Sequence, residues 1–168
     1  MKLNWIFRGK IFLYCMLLTS LMNFVAFPVY SQELVRLPEV KIPPGYFLYN
    51  FQRIIEKVQV NFYISPDSKV DFYNNLLQKR LAELKYIVDH GYLGEVEKSS
   101  QRVSYQVGIL SDYIKNKNLN NKKNSVHKLY QENKVVLEKL RDKYQANTSF
   151  WMLIQHVINS IDLNSQKF

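Results

Sequence analysis

Residues 65–91 read SPDSKVDFYNNLLQKRLAELKYIVDHG. Ser65 suits an N-cap, Pro66 the first helical position, and Asp67 the positive end of the helix dipole. No further Pro or Gly interrupts the run before Gly91, which is placed to end the helix in a left-handed cap. Val70, Tyr73, Leu77, Leu81, Leu84 and Val88 recur at spacings of three and four, and Leu76 and Ile87 broaden the stripe. The segment predicts a single helical rod of about 37 Å.

Working outward, a helix over about Gly94–Lys117 carries Val96, Val103, Val107, Leu110 and Ile114. With Ser100 at the one weak position, these are spaced 4-3-4-3-4, a heptad seam. A short turn between two long helices favours an antiparallel hairpin. Asn116–Asn124 (NKNLNNKKN) is polar and low in complexity and predicts a loop. Ser125 or Asn124 can cap a fourth helix to about Tyr144, with Val126, Leu129, Tyr130, Val136, Leu137 and Leu140 inward. Asn147-Thr148-Ser149 restarts a short, very apolar fifth helix holding Phe150, Trp151, Leu153, Ile154, Val157, Ile158 and Ile161, expected to close one end of the bundle.

On the N-terminal side, Phe47, Leu48, Phe51, Ile54, Ile55, Val58 and Phe62 give an amphipathic pattern and a first helix over about Tyr46–Asn61. No run alternates with period two. The expected fold is all-α: a long antiparallel hairpin extended by two further helices into a small bundle, occupying residues 46–168. Residues 32–45 contain Pro38, Pro43 and Pro44 and read as an extended tether.

Residues 1–31 read as an address. Lys2, Arg8 and Lys10 precede a charge-free apolar run, Ile11–Phe27. That is the layout of a secretory signal, with a cut before Gln32 after Val29-Tyr30-Ser31. At 17 residues the run also sits at the lower limit for spanning a bilayer, so an uncleaved anchor is the alternative. Cys15, the one cysteine, lies mid-run behind Tyr14, which is poor for lipoprotein processing. The expected location is extracytoplasmic or secreted, in a form indifferent to redox state.

Export changes the charge balance. Of the net +9, the leader carries +3 and residues 115–143 carry +6, so the remainder is neutral. Lys115, Lys117, Lys122, Lys123 and Lys128 open that stretch and are the candidate anion-binding residues, for anionic lipid or a wall polymer. Eight lysines and one arginine give weak attraction rather than shaped recognition, and an exported chain rarely meets nucleic acid.

The stretch Phe47-Leu48-Tyr49-Asn50-Phe51, Arg53, Glu56-Lys57-Val58, Ser65-Pro66-Asp67-Ser68-Lys69 and Gln78-Lys79-Arg80-Leu81-Ala82-Glu83-Leu84 resembles the domain-of-unknown-function 5667 family of exported bacterial proteins. The likeness is best over residues 47–84 and weaker to about Asn159. It implies a helical fold and an extracytoplasmic setting, and it carries no catalytic residue. Glu56, Arg80 and Glu83 are the polar positions associated with it.

Chemistry is otherwise sparse. His90, His127 and His156 fall in three separate helices, none paired at i, i+4, and no cysteine follows the leader. Glu95, Glu97, Asp67 and Asp71 lie near helix starts, where the dipole explains acids. No nucleophile elbow, zinc-protease or P-loop signature occurs. The sequence predicts no enzyme, no metal and no cofactor. Arg53 and Glu56, like Arg80 and Glu83, stand at i, i+3. They form either two ordinary surface pairs or one polar cluster fixing the register of the helices. The function expected is a non-enzymatic interaction module for an unidentified envelope protein, with anionic lipid or wall polymer as the alternative partner.

Overall fold

The computed structural model describes residues 36–168; the leader and the first residues of the tether lie outside them. Five helices follow in order: α1 (Phe47–Gln59), α2 (Pro66–Asp89), α3 (Leu93–Asn116), α4 (Asn120–Arg141) and α5 (Ser149–Ser165). A 3-10 turn, Val60–Phe62, extends α1. There is no strand among the described residues.

The start of α2 is built as its sequence dictates. The Ser65 hydroxyl accepts from the Ser68 amide at 3.1 Å, and Pro66 opens the helix. At the far end Gly91 adopts φ +69°, the Tyr92 amide donates to the Ile87 carbonyl at 3.0 Å, and the Gly91 amide donates to that of Val88 at 3.3 Å. These two bonds are a Schellman closure, which satisfies the last carbonyls of α2 and reverses the chain into α3.

The expected loop Asn116–Asn124 is a much shorter turn, and α4 begins at Asn120. The reason is a second closure of the same kind. Asn118 takes φ +52°, its amide donates to Lys115, and the Leu119 amide donates to Ile114 at 3.1 Å. Asn tolerates this left-handed position, and Leu119 packs against the core. The polar residues Asn120–Lys123 are thus drawn into helix by an anchored start. Ser125 is no cap; its hydroxyl donates to the Lys122 carbonyl within the helix.

Helices α2 to α5 alternate in direction and close a four-membered ring. The hairpin partners α2 and α3 pack side by side, α5 packs along both α3 and α4, and α4 returns beside α2. Cross-helix pairs fix these directions. Lys122 lies 3.6 Å from Asp71 near the starts of α4 and α2, and Gln78 donates to Asn133 at 2.8 Å midway. Lys134 reaches Asp162 at 2.8 Å across α4 and α5, and Lys167 reaches Asp112 on α3 at 2.8 Å. The fifth helix is therefore a full member of the bundle, 17 residues long, rather than a short plug at one end. Its apolar side, Ile154, Val157, Ile158 and Ile161, fills the gap between α3 and α4.

Leu77, Leu81 and Leu84 of α2, Val103, Val107 and Leu110 of α3, and Tyr130 and Leu137 of α4 are fully buried at the centre. Ser100, interrupting the α3 seam, is buried too, and its hydroxyl finds no partner. Residues Arg80 to Leu84 are all buried, which one face of a helix cannot achieve. The second face of α2 is covered by α1 and by the entry segment, whose Leu37 leans on the core.

Leu81→Asp, forcing an unpaired charge into the fully buried seam, is expected to abolish the helical circular-dichroism signal at 25 °C. Ile54→Asp on the 58%-exposed side of α1 should leave the helical signal at 25 °C intact. Circular-dichroism spectra of both variants check the assignment.

Candidate functional site

Helix α1 sits on the hairpin the unusual way round. Its buried residues are Tyr49 and Glu56, with Gln52, Arg53 and Val60 half-buried on the same face. Its apolar residues point away: Phe47 and Phe62 are 77% exposed, and Leu48, Phe51, Ile54, Ile55 and Val58 are all more than half exposed. An amphipathic helix on a globular core normally does the reverse.

What draws the polar face inward is a compact ionic cluster. The Arg80 guanidinium, 7% exposed, donates to Glu83 Oε1 at 2.6 Å and, from its other terminal nitrogen, to Glu56 across the helix interface. Lys79 donates to the second Glu56 oxygen. The Tyr49 hydroxyl donates to Glu83 Oε2 at 2.7 Å, so both Glu83 oxygens are occupied. Arg102 of α3 lies over the Tyr49 ring, 5.1 Å from its centroid, and donates to Ser99 at 2.6 Å. Further along, the Tyr63 and Phe72 rings pack tilted at 34°, with centroids 4.6 Å apart.

The electrostatics follow from that packing. Burial, and then the adjoining Glu83 carboxylate, push the Tyr49 phenol well above its ordinary range, so it remains a hydrogen-bond donor. Burial alone would weaken the Arg80 charge, but Glu83, Tyr49 and Glu56 outweigh it and raise its pKa further. Each buried charge thus has an opposite charge in contact, the condition under which burial is tolerated.

Of the four polar residues expected to act together, Glu56, Arg80 and Glu83 converge. Arg53 does not: it has no acidic partner among the described residues and borders a cleft of about 190 Å³ with Phe72, Leu76 and Ile109. Tyr49, Lys79 and Arg102 complete the cluster without having been anticipated. Tyr49 and Glu56 are seven residues apart and hence on one face, opposite the apolar stripe. That was the available signal.

The basic stretch is dispersed. Lys122 is within 3.8 Å of Asp67 and 3.6 Å of Asp71, Lys128 is 3.9 Å from Glu132, and Lys143 pairs with Asp89. Burial opposes ionisation of Asp89, but its hydrogen bonds from Lys143 and Lys85 prevail and hold its carboxyl below the usual range. Lys115, Lys117 and Lys123 have no acidic partner among the described residues and stand at the end of α3, in the turn and at the start of α4. His90 stacks on Tyr86 at 3.9 Å and its Nδ1 lies 2.8 Å from the Tyr86 carbonyl; His127 and His156 are exposed on other helices. No three His, Cys, Asp or Glu side chains converge among the described residues. No described helix is long and apolar enough to cross a membrane.

Tyr49→Phe leaves one buried Glu83 oxygen without its donor and should cost about 1–3 kcal/mol at pH 7. Because the folded phenol titrates above its unfolded value of about 10, the stability it confers is complete below that pH and declines above it. The gap between wild type and Tyr49→Phe in urea unfolding should therefore narrow as pH rises past about 10.

No curated protein and no solved structure matches the chain. The sequence profile of a family described only as a domain of unknown function (DUF5667) matches residues 41–147, which takes in α1 to α4 and stops short of α5. That span is well over half of the chain and includes every residue of the ionic cluster: the protein belongs to the DUF5667 family.

Proposed function

We propose that this chain is an extracytoplasmic, non-enzymatic interaction module that docks through the outward face of α1. The observation that carries the reading is that face itself. Seven large apolar side chains stand in solvent on a helix pinned from behind by buried ion pairs. An exposed apolar patch of this extent marks an interaction surface. Because α1 is already ordered, a partner meets a rigid surface and little ordering entropy opposes binding. The extracytoplasmic setting draws its support from the basic start, the charge-free run Ile11–Phe27 and the absence of cysteine after Cys15.

A second reading, attraction to anionic lipid or wall polymer, is favoured by Lys115, Lys117 and Lys123, which flank the α3–α4 turn without acidic partners among the described residues. It is the weaker, because Lys122 and Lys128 already face carboxylates.

The two separate by salt and by mutation. In chemical crosslinking of intact cells, Phe51→Asp should abolish the main adduct while leaving the helical circular-dichroism signal unchanged, and retention in isolated envelopes should survive 1 M salt, roughly a 3 Å screening length. Salt-labile retention lost in Lys115→Glu/Lys117→Glu and kept in Phe51→Asp would reverse the order of the two readings.

A further inference from the structure

The arrangement of α1 narrows what can cover it. Leu48, Phe51, Ile55 and Val58 are spaced 3-4-3, the a and d positions of a coiled-coil seam, and Phe62 on the 3-10 extension continues the stripe. All five are outward and more than half exposed. The positions flanking a seam set partner choice through charge. Along α1 they are Phe47, Gln52, Ile54 and Gln59, without one charged side chain among them. The charges that α1 does carry are placed elsewhere: Glu56 is buried, Arg53 is turned to the cleft, and Lys57 lies off the seam.

From this we infer that the α1 face is a self-complementary seam whose occupant is α1 of a second copy of this chain, packed about a twofold axis. The inference rests on the reading of α1 as a docking face and specifies its partner. A twofold contact places each residue against the same patch of its mate, so like charges on the seam or its flanks would meet and repel. Their absence removes the commonest obstacle to self-pairing. It also counts against an anionic bilayer as the occupant, since an interfacial helix of that kind carries basic residues along its margins.

Size is consistent with a stable dimer. At about 200 Å² for each ring, the exposed parts of Phe47, Phe51 and Phe62 present on the order of 400 Å². The four aliphatic side chains roughly double this, to about the 800 Å² per partner of a standard interface. The surface is also pre-shaped, since Phe47 and Phe51 already meet edge to face at 5.4 Å. A free peptide of 13 residues would be a marginal helix, but this one is held on a bundle and need not form on contact.

The test places a photo-crosslinking phenylalanine analogue at Phe51 of the full chain in living cells, followed by mass analysis of the adducts. The expected product has twice the mass of the 20.0 kDa chain, or of its processed form. It should fall about tenfold or more in Ile55→Asp, a loss of at least ~1.4 kcal/mol in association, with the helical circular-dichroism signal at 25 °C unchanged. A double-mass adduct that persists in Ile55→Asp overturns the seam. An adduct to lipid or to a different protein overturns the second copy while keeping α1 as a docking face. No adduct from Phe51 overturns both.

Discussion

One buried guanidinium organises this protein. Arg80 lies on the outer face of α2, shielded from water, and needs acids on both sides. Glu83 comes from its own helix and Glu56 from α1, and Tyr49 caps the remaining Glu83 oxygen. Removing a single partner would strand a buried charge, at a cost of ~3–5 kcal/mol, a large share of a domain's ~5–15 kcal/mol. Polar contact of this kind is a poor source of net stability and a strong source of register. It fixes where α1 sits along the hairpin and which way it faces.

The orientation of α1 has a direct consequence at the surface. The same rotation that brings Tyr49 and Glu56 to Arg80 turns Phe51, Ile54 and Val58 to solvent. An apolar stripe left outside would be a defect in an isolated monomer, because each ring keeps water ordered that burial would release. The bundle does not need that stripe: α2 to α5 already enclose a continuous core from Val70 to Ile161. The ionic cluster and the apolar face are thus two sides of one device, the first holding the helix and the second presenting it.

Much of this could be read from the residues. The Ser65-Pro66-Asp67 start, the Gly91 stop and the seams of α2 and α3 are local signals, and local chemistry decided those elements. Four features were not local. The turn at Asn118 looked like a longer loop because Asn, Lys and Leu119 have no helical period, whereas Leu119 finds the core only once the bundle exists. The length and place of α5 depended on a gap between α3 and α4 that no single segment encodes. The basic stretch looked like a patch because its neutralising acids, Asp67, Asp71, Asp89 and Asp162, lie far away in sequence. The side on which α1 is buried belongs with these, since amphipathic spacing gives two faces and does not say which one meets the protein.

The most direct test of the account is a double-mutant cycle between Glu56 and Arg80, read by urea unfolding with Glu56→Gln, Arg80→Met and the double variant. If α1 is docked by its polar face, the two changes are strongly non-additive, with a coupling of about 2–3 kcal/mol. Additive effects, with a coupling within about 0.5 kcal/mol of zero, would mean that Glu56 and Arg80 do not meet and that α1 faces the bundle another way.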